Sequence, residues 1–296
     1  MKAYLVVILV GLCLGFVDRC VMLRNDYRHY PTYPHGHLTH LAMGFIAAGL
    51  GAMVVPAISK PDYVAVTFLV LAAQEFRNIR NMERESLGKL DENKLIGRGQ
   101  DYIEGIAKVF EARNYLCMST ALISSAVTHI WSWPLGVVAG LVCILLSLKW
   151  MAGRQLGEVI EISRGKLHFA GSLLMVDDVV IMNVGLPATR EKILAEGLGI
   201  ILHPQDDDAR MTLDNIGQRM AIIYDVVSIL GSKIEINETE LHPMARKNPD
   251  KGYLALFIVP NEPDVESLID IVKKVPLLES AQGIGLSSLA GRKAAD

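Results

Sequence analysis

The sequence predicts a multi-pass α-helical membrane domain of about five spans, N-terminus outside, followed by a cytoplasmic α+β two-layer sandwich. Three observations carry that prediction. Hydrophobic residues make up 51% of the chain and mean hydropathy is +0.31, with nearly all of the excess before residue 152. Lys and Arg concentrate in alternate loops of that apolar half. Beyond Gly153 the pattern changes to short β-branched runs alternating with amphipathic helical stretches.

The apolar runs are Tyr4 to Val17 (extended by Val21 to Leu23), His40 to Ile58, Tyr63 to Ala73, Tyr115 to Trp133, and Leu135 to Met151. A span needs about 20 apolar residues, so the third run must borrow Pro61, Gln74 and Phe76. The first run reads as a retained helix: only Lys2 supplies a basic leader, and no small-residue cleavage site follows. Arg19, Arg24 and Arg28, then Arg77 through Arg113, then Lys149, Arg154 and Lys166 fall on one side. Lys2, Lys60 and the corner Trp131-Ser132-Trp133-Pro134 fall on the other. The positive-inside rule places the C-terminal domain in the cytoplasm, with Trp131, Trp133 and Trp150 at the interfacial belts. The domains are then 1–152, including a cytoplasmic segment 76–113, the α/β domain 153–282, and a loose Gly/Ser/Ala-rich tail 283–296.

In the second domain, Val159 to Ile162, Lys166 to Ala170, Val179 to Asn183, Gly199 to His203, Lys233 to Ile236 and Tyr253 to Val259 read as strands, in a mixed sheet. Pro187 to Glu196 reads as a helix with Pro at its start. Pro204 to Asp208 reads as an acidic loop. Thr212 caps one long helix striped by Leu213, Ile216, Met220, Ile223, Val227 and Leu230, and Gly231 ends it. Gly217 inside that helix costs about 1 kcal/mol relative to Ala and points to close packing on a neighbour such as the membrane domain. A last helix begins near Asp264.

A net charge of −3 gives no footprint for nucleic acid. Cys13, Cys20, Cys117 and Cys143 lie in or beside apolar runs and read as small hydrophobes, not as a disulfide framework or metal set. His29, His35, His37 and His40 crowd the entry to the second run. They read as interfacial anchors, and no metal or cofactor is assigned. Asp18 and Glu75 lie near span ends, where Arg19 and Arg77 and snorkelling account for them. No Gly-x-Ser-x-Gly, His-Glu-x-x-His or Walker A pattern occurs, and Gly283-Ile284-Gly285 is a weak phosphate-loop signal.

The segment Arg98 to Arg113 is charged and amphipathic, with Ile103, Ile106, Ala107 and Phe110 on one face. It reads as a short helix on the cytoplasmic membrane surface. Asp101 and Glu104 have capping-box spacing. Within it, Tyr102-Ile103-Glu104-Gly105-Ile106-Ala107 spells the signature of the YIEGIA family. The flanking Lys108-Val109-Phe110-Glu111-Ala112-Arg113-Asn114-Tyr115, Asp26-Tyr27-Arg28 and Tyr30-Pro31-Thr32-Tyr33-Pro34 resemble that family too. The resemblance covers the whole chain. It implies a sporulation protein of endospore-forming bacteria, in the forespore or spore inner membrane, whose partners are other membrane proteins there and the lipid bilayer. It further implies a noncanonical aspartyl protease activity on spore proteins, although no Asp-Thr-Gly or Gly-x-Gly-Asp motif is present.

Such chemistry needs two carboxylates sharing one proton, from one chain or one from each copy of a homo-oligomer. The candidates are Asp101 in the signature, Asp177 and Asp178 before a strand, and Asp225 in the long helix. Asp101 also has the position of an N-cap, and Asp206 to Asp208 that of a solvated loop. The competing expectation is a non-catalytic scaffold or regulator that binds partner proteins. Coupled transport lacks the broken helices and mid-membrane charges it normally requires.

Overall fold

A computed structural model describes residues 2–23, 34–59, 63–92, 94–150, 153–234 and 239–282. The chain divides into two compact units, Met1–Ser86 with Ile106–Ala152, and Leu87–Gly105 with Gly153–Asp296.

The first unit is helical. It contains α1 (Lys2–Leu23), α2 (Pro34–Ser59), α3 (Tyr63–Phe76), most of α5 (Gln100–Ile130) and α6 (Trp133–Trp150), while α4 (Ile79–Asp91) begins in it. Among the described residues three helices are long and apolar enough to cross a membrane: Tyr4–Leu23, His37–Ser59 and Trp133–Trp150. Small residues let their backbones approach, and α1 packs on both α2 and α6. Ala47, Ala48, Ala52, Cys117 and Ala121 are buried together with Phe76, Ile79 and Phe110.

The signature segment is not a separate surface helix. Residues 100–130 form one uninterrupted helix, and Ile103, Ile106, Ala107 and Phe110 are buried against protein. No breaker separates the charged half from the apolar half, so backbone hydrogen bonding simply continues.

The second unit carries two antiparallel sheets. One has the order β1 (Ile160–Gly165), β5 (Leu198–Pro204), β7 (Leu254–Ile258), β6 (Met244–Lys247), and the other is the meander β2 (Leu167–Ala170), β3 (Leu173–Val176), β4 (Val179–Asn183). The expected mixed sheet is therefore corrected. The four-residue strands β3 and β6 break no strong periodicity in the sequence, and they supply the returns that make every pairing antiparallel. Lys233 and Ile234 are not in a strand, although the Lys233 N–H donates to Val259 O at 2.9 Å. Residues 235 and 236 lie outside the described residues.

Three layers replace the expected two. The meander covers one face of the larger sheet, where Leu174, Val176, Ile181, Ile201, Ala255 and Phe257 share a core. The opposite face presents buried Ile200, Leu202, Leu254 and Leu256 to α8 (Asp207–Asp214), α9 (Ile216–Leu230) and α10 (Val265–Lys274). Covered on both sides, β5 and β7 read as continuous apolar runs rather than alternating ones.

The single long helix predicted after Thr212 is two. Asn215 sits between them in an extended conformation, and its side chain accepts the Gln218 N–H at 3.0 Å as the N-cap of α9. The acidic stretch at 206–208 is not a loop: Asp206 caps α8 by accepting the Ala209 N–H at 2.7 Å. Thr212 instead donates to Ala281 O at 2.9 Å. Pro187 opens α7 (Pro187–Glu196), and Asp264 caps α10. The Asp264 carboxyl is held below the usual range by the Ser267 hydroxyl and by backbone N–H donors.

Candidate functional site

In the second unit the signature begins at a forced turn. Gly99 has φ +77°, a conformation glycine adopts without strain, and its carbonyl accepts the Ile103 N–H at 3.1 Å. The helix starts at Gln100, so Asp101 is not the N-cap. It is an exposed residue of the first turn, where a negative charge faces the positive helix end. Gly217 packs against this same start: a Cβ there would lie 3.1 Å from Asp101 Cβ. The close neighbour of Gly217 is thus the opening of the signature helix.

Tyr102 is fully buried. Its hydroxyl donates to the Asp225 carboxylate, and burial followed by the Asp225 charge pushes the phenol well above its ordinary value of 10.0. Its ring meets Tyr224 edge to face at 6.2 Å. Tyr224 lies beneath the Arg98 guanidinium, 4.4 Å from the ring centroid, and accepts a hydrogen bond from Lys94 Nζ at 2.7 Å. Arg98, also fully buried, is locked by Asp91: Nη1 to Oδ1 is 2.8 Å, and the Arg98 backbone N–H reaches Oδ2 at 2.5 Å. Lys94, Leu95, Ile96, Tyr224, Val227, Ser228, Ser232 and Ile234 line an open cavity of about 310 Å³ beside this cluster. At Gly105 a Cβ would meet Leu278 at an ordinary 3.6 Å.

Tyr102→Phe is expected to destabilise this unit by about 1–3 kcal/mol, because a buried carboxylate loses its donor. The pH dependence has a definite sign. The folded phenol holds its proton more tightly than the unfolded one, so its contribution is complete below the ordinary value of 10.0 and is lost as pH rises beyond it. Urea melts of the full chain in micelles, followed by circular dichroism, check this. Stability above pH ~10 should fall less steeply in Tyr102→Phe, and an identical slope rules the role out.

The remaining candidates are engaged elsewhere. Asp177 has φ 51° in the β3–β4 turn, and its carboxylate accepts the Lys166 N–H at 2.9 Å. Asp178 accepts from the Tyr253 hydroxyl, from Lys251 Nζ at 3.1 Å and from Asn248 Nδ2 at 3.3 Å. The Tyr253 hydroxyl and then Lys251 hold its carboxyl below the usual range. Asp101 packs near Gly217, two helical turns before Asp225, or about 12 Å along α9.

The first unit holds a polar cluster around Asp18, which the sequence reading explained by snorkelling or by pairing with Arg19. Asp18 and Arg19 are both completely buried. Asp18 Oδ2 accepts from Thr120 Oγ1 at 2.6 Å and from Ser147 Oγ at 3.2 Å. Arg19 Nη2 donates to His40 Nδ1 at 2.9 Å, and its guanidinium stands 5.4 Å from the Phe110 centroid. Arginine has only donors, so Nδ1 of neutral His40 is the acceptor and Nε2 carries the hydrogen, 3.8 Å from Glu83 Oε1. No single-sequence signal gave this cluster, because its members are 21 to 129 residues apart. His29 and the side chains of His35 and Glu75 lie outside the described residues. Among the described residues no group of three His, Cys, Asp or Glu side chains could hold a metal ion.

Apolar helices of membrane length, a buried polar cluster among them and an appended α+β unit define a membrane-type helical protein. The family model for the YIEGIA protein matches residues 7–288, and the chain belongs to that family. It is 42% identical over 281 residues to the uncharacterized protein YphB of Bacillus subtilis (strain 168), covering 95% of each chain. No solved structure matches it.

Proposed function

We propose that this chain is a sporulation-associated integral membrane protein of the forespore or spore inner membrane that regulates other membrane proteins there without catalysis of its own. It crosses five times, N-terminus outside and α+β unit in the cytoplasm. The charge asymmetry of the loops supports that topology. So does α3, where Tyr63, Val64, Phe68, Val70 and Leu71 are all exposed and call for an apolar surround. At 31 residues, α5 is about 46 Å long, enough to cross with its charged half left outside. The observation that carries the regulator reading is that Asp177, Asp178 and Asp225 are held by different partners: the Lys166 N–H, Tyr253 with Lys251, and Tyr102. The signature itself is folded inward as a clamp on α9 through Tyr102.

A second reading, membrane-bound aspartyl proteolysis, is favoured by one feature. Asp18 is a buried carboxyl held by two hydroxyls inside the helical unit. Quantitative membrane proteomics of sporulating cells separates the two. Deletion, Asp18→Asn, Asp101→Asn and Asp225→Asn strains are compared with wild type at matched protein levels. The regulator reading expects the deletion to change the abundance of particular membrane proteins while each well-expressed substitution behaves as wild type. A substitution that reproduces the deletion, with the purified protein cutting the accumulated target, replaces it with the protease.

A further inference from the structure

We infer that Asp18 is a proton-binding site within the helical unit, a carboxyl that takes up and releases a proton. The inference does not depend on which reading of the overall function holds. Asp18 belongs to the apolar stretch Tyr4–Leu23 and lies five residues from its end, about 8 Å along the axis, so it is inside the span rather than at its rim. None of its surface is exposed. Oδ2 is held by Thr120 on α5 and Ser147 on α6. Among the described residues Oδ1, equally buried, has no hydrogen-bond partner. A buried carboxyl with one oxygen held in place and the other open is built to change its protonation state.

The surrounding groups fit a proton better than a metal ion. The hydroxyls of Thr120 and Ser147 already donate to Oδ2, which leaves one carboxylate oxygen for any incoming cation. A proton needs only one oxygen, whereas metal ions need several. Facing Asp18 are the Arg19 guanidinium on its own helix and the Cys117 and Cys143 thiols of α5 and α6. Beyond Arg19 stand His40 of α2 and Glu83 of α4. Burial disfavours a charge on Asp18 and the guanidinium favours one.

Dicyclohexylcarbodiimide, an apolar carbodiimide, tests this on the full chain in proteoliposomes. The protonated carboxyl gives its proton to a carbodiimide nitrogen while its oxygen bonds the central carbon. The O-acylisourea so formed rearranges to a stable N-acylurea, so the whole reagent is added and nothing leaves. Peptide mass spectrometry should find Asp18 modified at low pH and progressively less so as pH rises. Ser147→Ala, which removes one donor to the carboxylate, should shift that profile toward higher pH. Absence of labelling at every pH shows a permanent carboxylate, labelling independent of pH shows a permanent acid, and protection by Na⁺ at constant pH shows a metal cation. Each of these three results overturns the assignment.

Discussion

Arg98→Met lowers the stability of the α+β unit by about 3–5 kcal/mol, the effect expected when one partner of a buried ion pair is removed. Arg98 has no exposed surface, and the Asp91 side chain is only 11% exposed. Methionine preserves packing over the Tyr224 ring but leaves the Asp91 carboxylate with its charge uncompensated. The backbone N–H of residue 98 still reaches Oδ2, so the loss is that of the guanidinium and not of the whole turn. Hydrogen exchange of the full chain in micelles reads the effect through peptides covering α9. Protection should fall roughly a hundred- to a few-thousand-fold. Adding Asp91→Leu to Arg98→Met removes the stranded charge and should recover most of the loss. If the double variant is as unstable as the single one, Arg98 acts through packing and not through its pair.

The limits of sequence reading follow from the kind of force that places each group. Apolar runs such as Tyr4 to Leu23 were legible because a membrane-length helix is a local property of composition. The caps Pro187 and Asp264 were legible because capping is decided within a few residues. Asn215 was missed as a boundary. The apolar stripe continues through it, and only the three-dimensional path shows its side chain turned back onto Gln218. The signature was found as a word, but its meaning was not. Asp101 was one of four carboxylate candidates and also had the position of an N-cap, whereas Tyr102 is the signature residue folded inward onto Asp225. Asp18 was read as a snorkelling charge because Arg19 follows it in sequence. Successive helix residues point about 100° apart, so Asp18 faces Thr120 and Ser147 while Arg19 reaches His40. Long-range pairing of this kind leaves no trace in one chain's spacing.

Helix packing in the first unit gives a paired test in which two neighbouring glycines respond oppositely. Gly51 and Gly49 lie on α2, two residues apart, on different faces. A Cβ at Gly51 would stand 2.2 Å from the backbone oxygen of Met118, while at Gly49 the nearest atom is Leu12 Cδ1 at 4.0 Å. Alanine is the better helix former by about 1 kcal/mol, so Gly49→Ala is expected to be neutral or mildly stabilising. Gly51→Ala must push α2 away from α5 by most of an ångström, since a backbone carbonyl within a helix cannot swing aside as a side-chain tip does. Overpacking of this sort costs about 1–3 kcal/mol and at times more. The separation would also loosen the buried contacts of Ala48, Ala52, Cys117 and Ala121. Thermal unfolding of the full chain in micelles, read by the fraction eluting as folded protein, should show a clear drop for Gly51→Ala and none for Gly49→Ala. Equal behaviour of the two variants would mean that α2 and α5 do not approach this closely in the folded protein, because intrinsic helix propensity alone predicts the same gain at both positions.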